Sequence, residues 1–131
     1  MKIAMVFPGQ GSQSVGMLKA YAGLPGVDET IAEARDALGD DFVKLLDEGP
    51  AEALGLTVNT QPAMVTAAIA AWRAWRALGG PEPVVVAGHS LGEFPHPMQD
   101  VALCVVAFDV ARIDSQRVLN LRERLLQRSL L

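Results

Sequence analysis

The stretch Pro83-Val-Val-Val-Ala-Gly-His-Ser-Leu-Gly92 decides the fold class of this sequence. Its first half is a short, continuous apolar run, which is typical of a strand buried on both faces of a parallel sheet. Its second half, Gly88-His-Ser-Leu-Gly92, is a glycine-flanked turn around a serine. Such a turn directly after a strand is the setting in which a nucleophilic serine is held exposed above a sheet. Ser90 is therefore the candidate nucleophile, and the alternative is a serine that only caps a helix.

A second strand is predicted near the N-terminus. Ile3-Ala-Met-Val-Phe7 is a short apolar run that ends at Pro8, and the tight polar loop Gly9-Gln-Gly-Ser-Gln13 follows it. Strand, helices and strand in this order predict a parallel α/β layer with a right-handed crossover. Because the carboxyl ends of parallel strands meet at one edge, the loop after the first strand and the turn after the second are expected to face a common crevice.

Helices are predicted between the two strands. Residues 28–38 begin with a capping residue and acids and end at a glycine, as an amphipathic helix does. Residues 42–46 are predicted to form a short turn of helix. A longer helix, from residue 62 to residue 78, is predicted to be capped by Asn59 or Thr60, with its proline in the first turn.

Apolar side chains recur along the longest predicted helix at helical spacing. They are Val65, Ile69, Trp72, Trp75 and Leu78. Such a stripe is far more typical of core packing than of a cofactor site, so these residues are predicted to face the core.

The composition indicates one soluble domain and excludes several classes of protein. Half of the 131 residues are hydrophobic, and the net charge of -4 provides no basic surface for nucleic acid. The single cysteine, Cys104, excludes an intrachain disulfide and a multi-cysteine metal site. No apolar run approaches the roughly 18 residues of a membrane span, and the residues before Pro8 are too few for a signal-peptide core. We therefore expect a cytoplasmic protein.

The charge is unevenly divided along the chain. Residues 1–110 carry six Lys/Arg and thirteen Asp/Glu, a net of -7, whereas residues 111–131 carry five Arg and two acids, a net of +3. The C-terminal segment is a candidate surface for an acidic partner, and the alternative is a solvated helix face.

Three motifs in order resemble those of the malonyl-CoA:acyl carrier protein transacylases. They are Phe7-Pro-Gly-Gln-Gly-Ser-Gln13, Thr60-Gln-Pro-Ala63 and Gly88-His-Ser-Leu-Gly-Glu93. Acyltransferase domains of polyketide and fatty acid synthases share these signatures, but a start two residues before the first strand favours a free-standing enzyme. The resemblance implies an incomplete parallel-sheet acyltransferase core, similar to the α/β-hydrolases, with flanking helices and without the family's ferredoxin-like subdomain.

The resemblance also implies a set of site residues. Ser90 becomes the acyl-accepting nucleophile, and the backbone amides of Gln10 and Leu91 form the oxyanion hole. Arg122, on a helix over 117–131, matches the family's arginine that binds the free carboxylate of malonate. A planar guanidinium suits a carboxylate, and the alternative is an exposed arginine on an amphipathic helix.

Residues 94–116 depart from the family pattern, whereas residues 1–93 match it closely. Pro95 and Pro97 fall where the family continues a regular helix, and each would remove a backbone hydrogen bond from that helix. Compensating frameshifts in the coding DNA would produce such a mismatch. We expect residues 1–131 to be one truncated acyltransferase domain.

The family's catalytic histidine has no counterpart in residues 1–131. The histidines present are His89, which we interpret as structural, and His96, which is a poor candidate base beside two prolines. The expected function is malonyl transfer from malonyl-CoA to acyl carrier protein in fatty acid biosynthesis, with no metal or redox cofactor. The alternatives are an inactive remnant that at most binds CoA or carrier protein, and a serine hydrolase.

Overall fold

The computed structural model describes residues 2–88. In chain order the elements are β1 (Ala4–Phe7), a 3-10 helix (Lys19–Tyr21), α1 (Val27–Leu38), α2 (Asp40–Glu48), α3 (Ala51–Leu54), α4 (Thr57–Ala77) and β2 (Val85–Gly88). The predictions for the segment 94–116 and for the helix over 117–131 lie outside the described residues.

The two strands form a parallel sheet, as predicted. Ala4 pairs with Val85 and Phe7 pairs with Gly88, so the strands run in register over their whole length. The amide of Val84 donates to the carbonyl of Ile3 at 2.9 Å and extends the pairing by one step. Because four α-helices and a 3-10 helix lie between these two parallel neighbours, the chain makes a crossover connection, as predicted, and its right-handedness stays a prediction.

Helices α1 and α2 confirm the two predicted segments with wider bounds. Gly39 separates them, and its positive φ of 93° lets the chain turn at once from one helix into the next. Phe42 and Leu46 of α2 pack with Ala34 of α1 and Leu54 of α3 in one buried cluster. This cluster fixes α1, α2 and α3 relative to one another.

The predicted start of the long helix is wrong. Helix α4 begins at Thr57, and neither Asn59 nor Thr60 caps it. Asn59 Nδ2 donates instead to the Ala53 carbonyl at 2.9 Å, and Thr60 Oγ1 donates to the Leu54 carbonyl at 2.6 Å. Both side chains therefore satisfy carbonyl groups at the end of α3, which the sequence analysis did not anticipate.

Pro62 accordingly lies inside α4 and not in its first turn. A proline here leaves the carbonyl of Val58 without its helical partner. Val58 is 45% exposed, so water can reach this part of the helix and lower the cost. The Pro62 carbonyl accepts a bond from Thr66 Oγ1 at 2.8 Å.

The predicted core stripe of α4 is confirmed in its first half only. Val65 and Ile69 are buried, whereas Trp72 and Trp75 are half-buried and Leu78 is 63% exposed. Toward the C-terminus of α4 the core-facing residues are Ala70 and Ala74, which pack with Val27 and Leu18. Trp75 Nε1 donates to the Pro81 carbonyl at 3.0 Å, which holds the turn that leads to β2.

A buried ion pair joins α1 to α4. Arg73 Nη1 lies 2.8 Å from Glu33 Oε2 and donates to Thr30 Oγ1 at 3.0 Å. Thr30 Oγ1 in turn donates to the Gly26 carbonyl at 2.6 Å. A Cβ at Gly26 would lie 2.7 Å from Arg73 Cβ, so only glycine permits this close approach of the two helices.

Candidate active site

The carboxyl ends of β1 and β2 define the candidate site. Phe7 and Gly88 are paired, and the backbones of neighbouring strands run about 4.8 Å apart. The loop that begins at Pro8 and the chain that continues from Gly88 therefore leave the sheet side by side at one edge. The sequence predicted that the carboxyl ends of these two strands meet at one edge, and the pairing confirms that prediction.

The loop after β1 is a compact turn that two glycines make possible. Gly9 is buried at the sheet edge, and Gly11 has a φ of 103°, a conformation that side-chain-bearing residues rarely adopt. The Gly11 amide donates to Gln13 Oε1 at 2.8 Å, and the Ser12 amide donates to the Gly9 carbonyl at 3.4 Å. Within residues 2–88, the Gln10 amide takes part in none of the hydrogen bonds that hold this turn.

The side chain of Gln10 connects the loop to α4. Gln10 Nε2 donates to Thr57 Oγ1 at 3.3 Å, and both residues are exposed. Thr57 is the first residue of α4. The sequence did not identify Thr57 as a partner of Gln10. The available signal was its position three residues before the Thr60-Gln-Pro-Ala63 motif.

The Thr60-Gln-Pro-Ala63 motif is buried beside this connection. Thr60 and Ala63 are fully buried, and Gln61 is 5% exposed. The motif therefore joins α3 to α4 through Thr60.

The loop after β1 has backbone N–H groups but no charged side chains. Residues 3–18 include no Asp, Glu, Lys, Arg or His. Any negative charge that develops at this edge must therefore be stabilised by N–H groups of the loop rather than by a cation of the same segment. In the part of the chain that the structure describes, no group of three His, Cys, Asp or Glu side chains is placed to hold a metal ion.

The structure places one of the four predicted site residues. Gln10 lies in the loop at the sheet edge, as expected. Ser90 and Leu91 follow Gly88 by two and three residues, and Arg122 lies further along the chain. These three lie outside the described residues, so their roles stay predictions.

Residues 4–130 match the acyl transferase domain family. The chain belongs to this family. The assignment covers nearly the whole sequence and agrees with the resemblance that the three motifs carry.

The relatives of this acyl transferase domain include malonyl transacylases. The malonyl CoA-acyl carrier protein transacylase of Salmonella typhimurium is 46% identical over 127 residues, which are 96% of this chain and 39% of that protein. The enzyme of the same name from Escherichia coli strain K12 gives the same identity and coverage. The chain thus spans about two fifths of the length of these relatives.

Solved structures support the same family and fold. An acyl-carrier-protein S-malonyltransferase from Burkholderia pseudomallei is 50% identical with a TM-score of 0.72, over 95% of this chain and 38% of that one. The structure of a type II polyketide synthase acyl-carrier protein in complex with its malonyl-transacylase contains a chain that is 51% identical, with a TM-score of 0.68. The match covers 72% of this chain and 31% of that one. The predicted α/β class with a parallel sheet is confirmed.

No helix within residues 2–88 is long and apolar enough to cross a membrane.

Proposed function

We propose that this acyl transferase domain moves malonyl groups from malonyl-CoA to acyl carrier protein in fatty acid biosynthesis, through an ester on Ser90. The observation that carries the proposal is the pairing of Phe7 with Gly88, from which the Gln10 loop and the Ser90 turn both start. The names of the malonyl CoA-acyl carrier protein transacylases support the choice of substrates. The structure of a carrier protein with its malonyl-transacylase supports the choice of partner.

The proposed reaction has two balanced steps. Ser90 Oγ attacks the thioester carbonyl of malonyl-CoA, the carbon-sulfur bond breaks, and the proton of the hydroxyl leaves with the CoA thiol. The phosphopantetheine thiol of the carrier protein then attacks the seryl ester, and the Ser90 hydroxyl is restored. In both steps the amides of Gln10 and Leu91 donate to the oxyanion. The Gln10 amide makes no backbone hydrogen bond within residues 2–88, which supports this role.

Arg122 is proposed to bind the free carboxylate of the malonyl group. A bidentate guanidinium contact favours malonyl over acetyl donors, because acetyl offers no carboxylate. We also keep the cytoplasm as the proposed location, and we propose no metal or redox cofactor. The finer fold is proposed to be an α/β-hydrolase-like core with flanking helices, and the likeness to the Burkholderia enzyme supports it.

Binding without turnover is the second candidate function, and the histidine content favours it. Residues 1–131 contain His89 and His96, and neither is proposed to be the base that activates Ser90. A serine hydroxyl without an adjacent base is a weak nucleophile. In that case the chain binds CoA, carrier protein or a further polypeptide that supplies the base.

A transfer assay distinguishes these functions. The chain is incubated with malonyl-CoA, with and without the phosphopantetheine form of acyl carrier protein, and the products are separated by mass spectrometry. Malonyl-carrier protein that is absent with Ser90→Ala supports the transferase. Free malonate formed at the same rate without carrier protein supports the hydrolase alternative, and binding without either product supports the second candidate.

The proposed role of Arg122 has its own test. Arg122→Ala is expected to slow acylation by malonyl-CoA by roughly tenfold or more and to leave acylation by acetyl-CoA nearly unchanged, because a charge-assisted contact is lost from one donor only. Arg124→Ala, two residues away, serves as the matched control. Equal effects of Arg122→Ala on both donors would show that Arg122 does not bind the carboxylate.

A further inference from the structure

Two hydrogen bonds of unequal strength close the loop after β1. The Ser12 amide donates to the Gly9 carbonyl at 3.4 Å, and the Gly11 amide donates to Gln13 Oε1 at 2.8 Å. Hydrogen bonds from N–H groups to oxygen are typically about 2.9–3.0 Å long, so the first bond is long and weak, whereas the second has full strength. The conformation of the loop therefore depends mainly on the Gln13 side chain.

The Gly9 carbonyl and the Gln10 amide belong to one peptide group. This peptide is trans, because the cis peptide bond among the described residues is the one between Gly49 and Pro50. In a trans peptide the N–H and the carbonyl point in opposite directions. The Gly9 carbonyl faces Ser12 inside the turn, so the Gln10 N–H points out of the turn. In this direction the amide is able to donate to a bound group.

The Gln13 side chain fixes the peptide group on the other side of Gln10. The Gln10 carbonyl and the Gly11 N–H share that peptide, so the bond to Gln13 Oε1 determines which way it faces. Gly11 has a φ of 103°, and glycine adopts negative φ values about as readily. Without an acceptor at position 13 the peptide is free to rotate, and the Gln10 amide loses its fixed direction.

The segment that carries Gln13 is attached to the core. Three residues after Gln13, the Gly16 amide donates to the carbonyl of Leu46 in α2 at 2.7 Å, and Leu46 is 3% exposed. Gln13 itself is half-buried, whereas Gln10 and Gly11 are exposed. The Gln13 side chain therefore connects the exposed part of the loop to a segment that α2 holds in place.

We propose that Gln13 is a positioning residue that keeps the Gln10 amide directed at the oxyanion of the reaction. This inference rests on the proposed acyl transfer for the oxyanion, and on the bond to Gly11 for the orientation. Gln13 acts through the Gly11 peptide and not by contact with the substrate. A donor that is already oriented stabilises the developing charge without reorganisation, so the effect belongs to the transition state.

The kinetics of acylation of the 131-residue chain by malonyl-CoA test this role. Gln13→Leu keeps the approximate volume and removes the acceptor, and the maximal rate of ester formation on Ser90 is expected to fall about two- to tenfold. The malonyl-CoA concentration that gives half of the maximal rate should stay within about twofold, because the lost effect is confined to the transition state. Ser14→Ala is the control, since Ser14 is exposed and its side chain makes no hydrogen bond within residues 2–88.

Amide hydrogen exchange, followed by NMR, measures the bond without the reaction. The Gly11 amide is expected to exchange about two- to tenfold faster in Gln13→Leu than in the parent, and the resonance of the Gln10 amide should shift. Gln13→Glu keeps an acceptor oxygen and should retain the slow exchange of Gly11.

The outcomes separate this inference from the proposed function. An unchanged maximal rate in Gln13→Leu, or an effect on the half-saturating concentration alone, would overturn the positioning role. If the parent forms no ester on Ser90, the transferase proposal fails, and the exchange measurement decides whether Gln13 orients the loop. Equal exchange of Gly11 in the parent and in Gln13→Leu, or an unmoved Gln10 resonance, would then contradict the inference.

Discussion

At the residue scale, the conformation of the loop after β1 depends on Gln10 and its two glycine neighbours. Gly11 has a φ of 103°, and its amide donates within the turn, whereas the Gln10 amide makes no backbone hydrogen bond among residues 2–88. The sequence predicted a tight loop here because glycines flank Gln10. It could not predict that the Gln10 side chain is bonded to Thr57, because that contact depends on where α4 begins.

Replacing Gly11 by alanine tests the importance of the loop conformation. A Cβ at Gly11 meets nothing within 4 Å, so the cost is backbone strain alone, about 1–2 kcal/mol. Gly11→Ala is expected to slow acylation of Ser90 by roughly tenfold, since displacement of an oxyanion donor is costly to the reaction. Gly23 also has a positive φ and open space, so Gly23→Ala should cause a similar loss of urea stability with an unchanged acylation rate.

Thr57 is predicted to position the Gln10 loop. Thr57→Val removes the acceptor for Gln10 Nε2, and an exposed neutral bond of this kind contributes about 0.5–1.5 kcal/mol. Acylation should therefore slow by about two- to tenfold, while the midpoint of urea unfolding is nearly unchanged. Thr57→Ser keeps the hydroxyl and should restore the parent rate. A serine variant as slow as the valine variant would show that the bond has no such role.

At the scale of elements, the sequence predicted the helices more reliably than their ends. Periodicity and acidic first turns placed α1, and the apolar runs placed both strands. Helix α3 and the true start of α4 were missed because Asn59 and Thr60, which are typical capping residues, bond to carbonyls of α3 instead. Local propensity does not reveal which of two adjacent helix ends such a side chain will satisfy.

The packing of α1 against α4 is predicted to depend on the pair Arg73–Glu33. The Glu33 side chain is buried, at 6% exposure, and that of Arg73 is 14% exposed, so Arg73→Met leaves an uncompensated carboxylate inside the protein. We expect a loss of about 3–5 kcal/mol in the free energy of unfolding, measured with urea. The double variant Arg73→Met with Glu33→Met should recover most of the lost free energy of unfolding, because it removes the unpaired carboxylate as well.

An exposed ion pair provides the control for this prediction. Arg35 Nε lies 3.0 Å from Asp40 Oδ1, and these side chains are 49% and 87% exposed. Arg35→Met should change the unfolding free energy by less than about 1 kcal/mol, because solvent screens exposed pairs. Equal losses for Arg73→Met and Arg35→Met would contradict the role of the buried pair.

For the whole molecule, the sequence predicted the family and the parallel order of the strands before any geometry was known. The family came from the resemblance of three motifs, and the parallel order came from two apolar runs with helices between them. The sequence could not predict that Arg73 and Glu33, which are 40 residues apart, would form the ion pair between α4 and α1. Tertiary placement of this kind is not encoded in any short pattern.

We propose that the edge shared by β1 and β2 supports an acyl transfer in which Ser90 becomes esterified. Intact-mass measurement of the 131-residue chain after incubation with malonyl-CoA, followed by peptide mapping, tests it most directly. We predict a malonyl adduct on the peptide that contains Ser90, slower to form in Gly11→Ala and absent in Ser90→Ala. An adduct that persists in Ser90→Ala, or no adduct at any time in the parent chain, would contradict the claim.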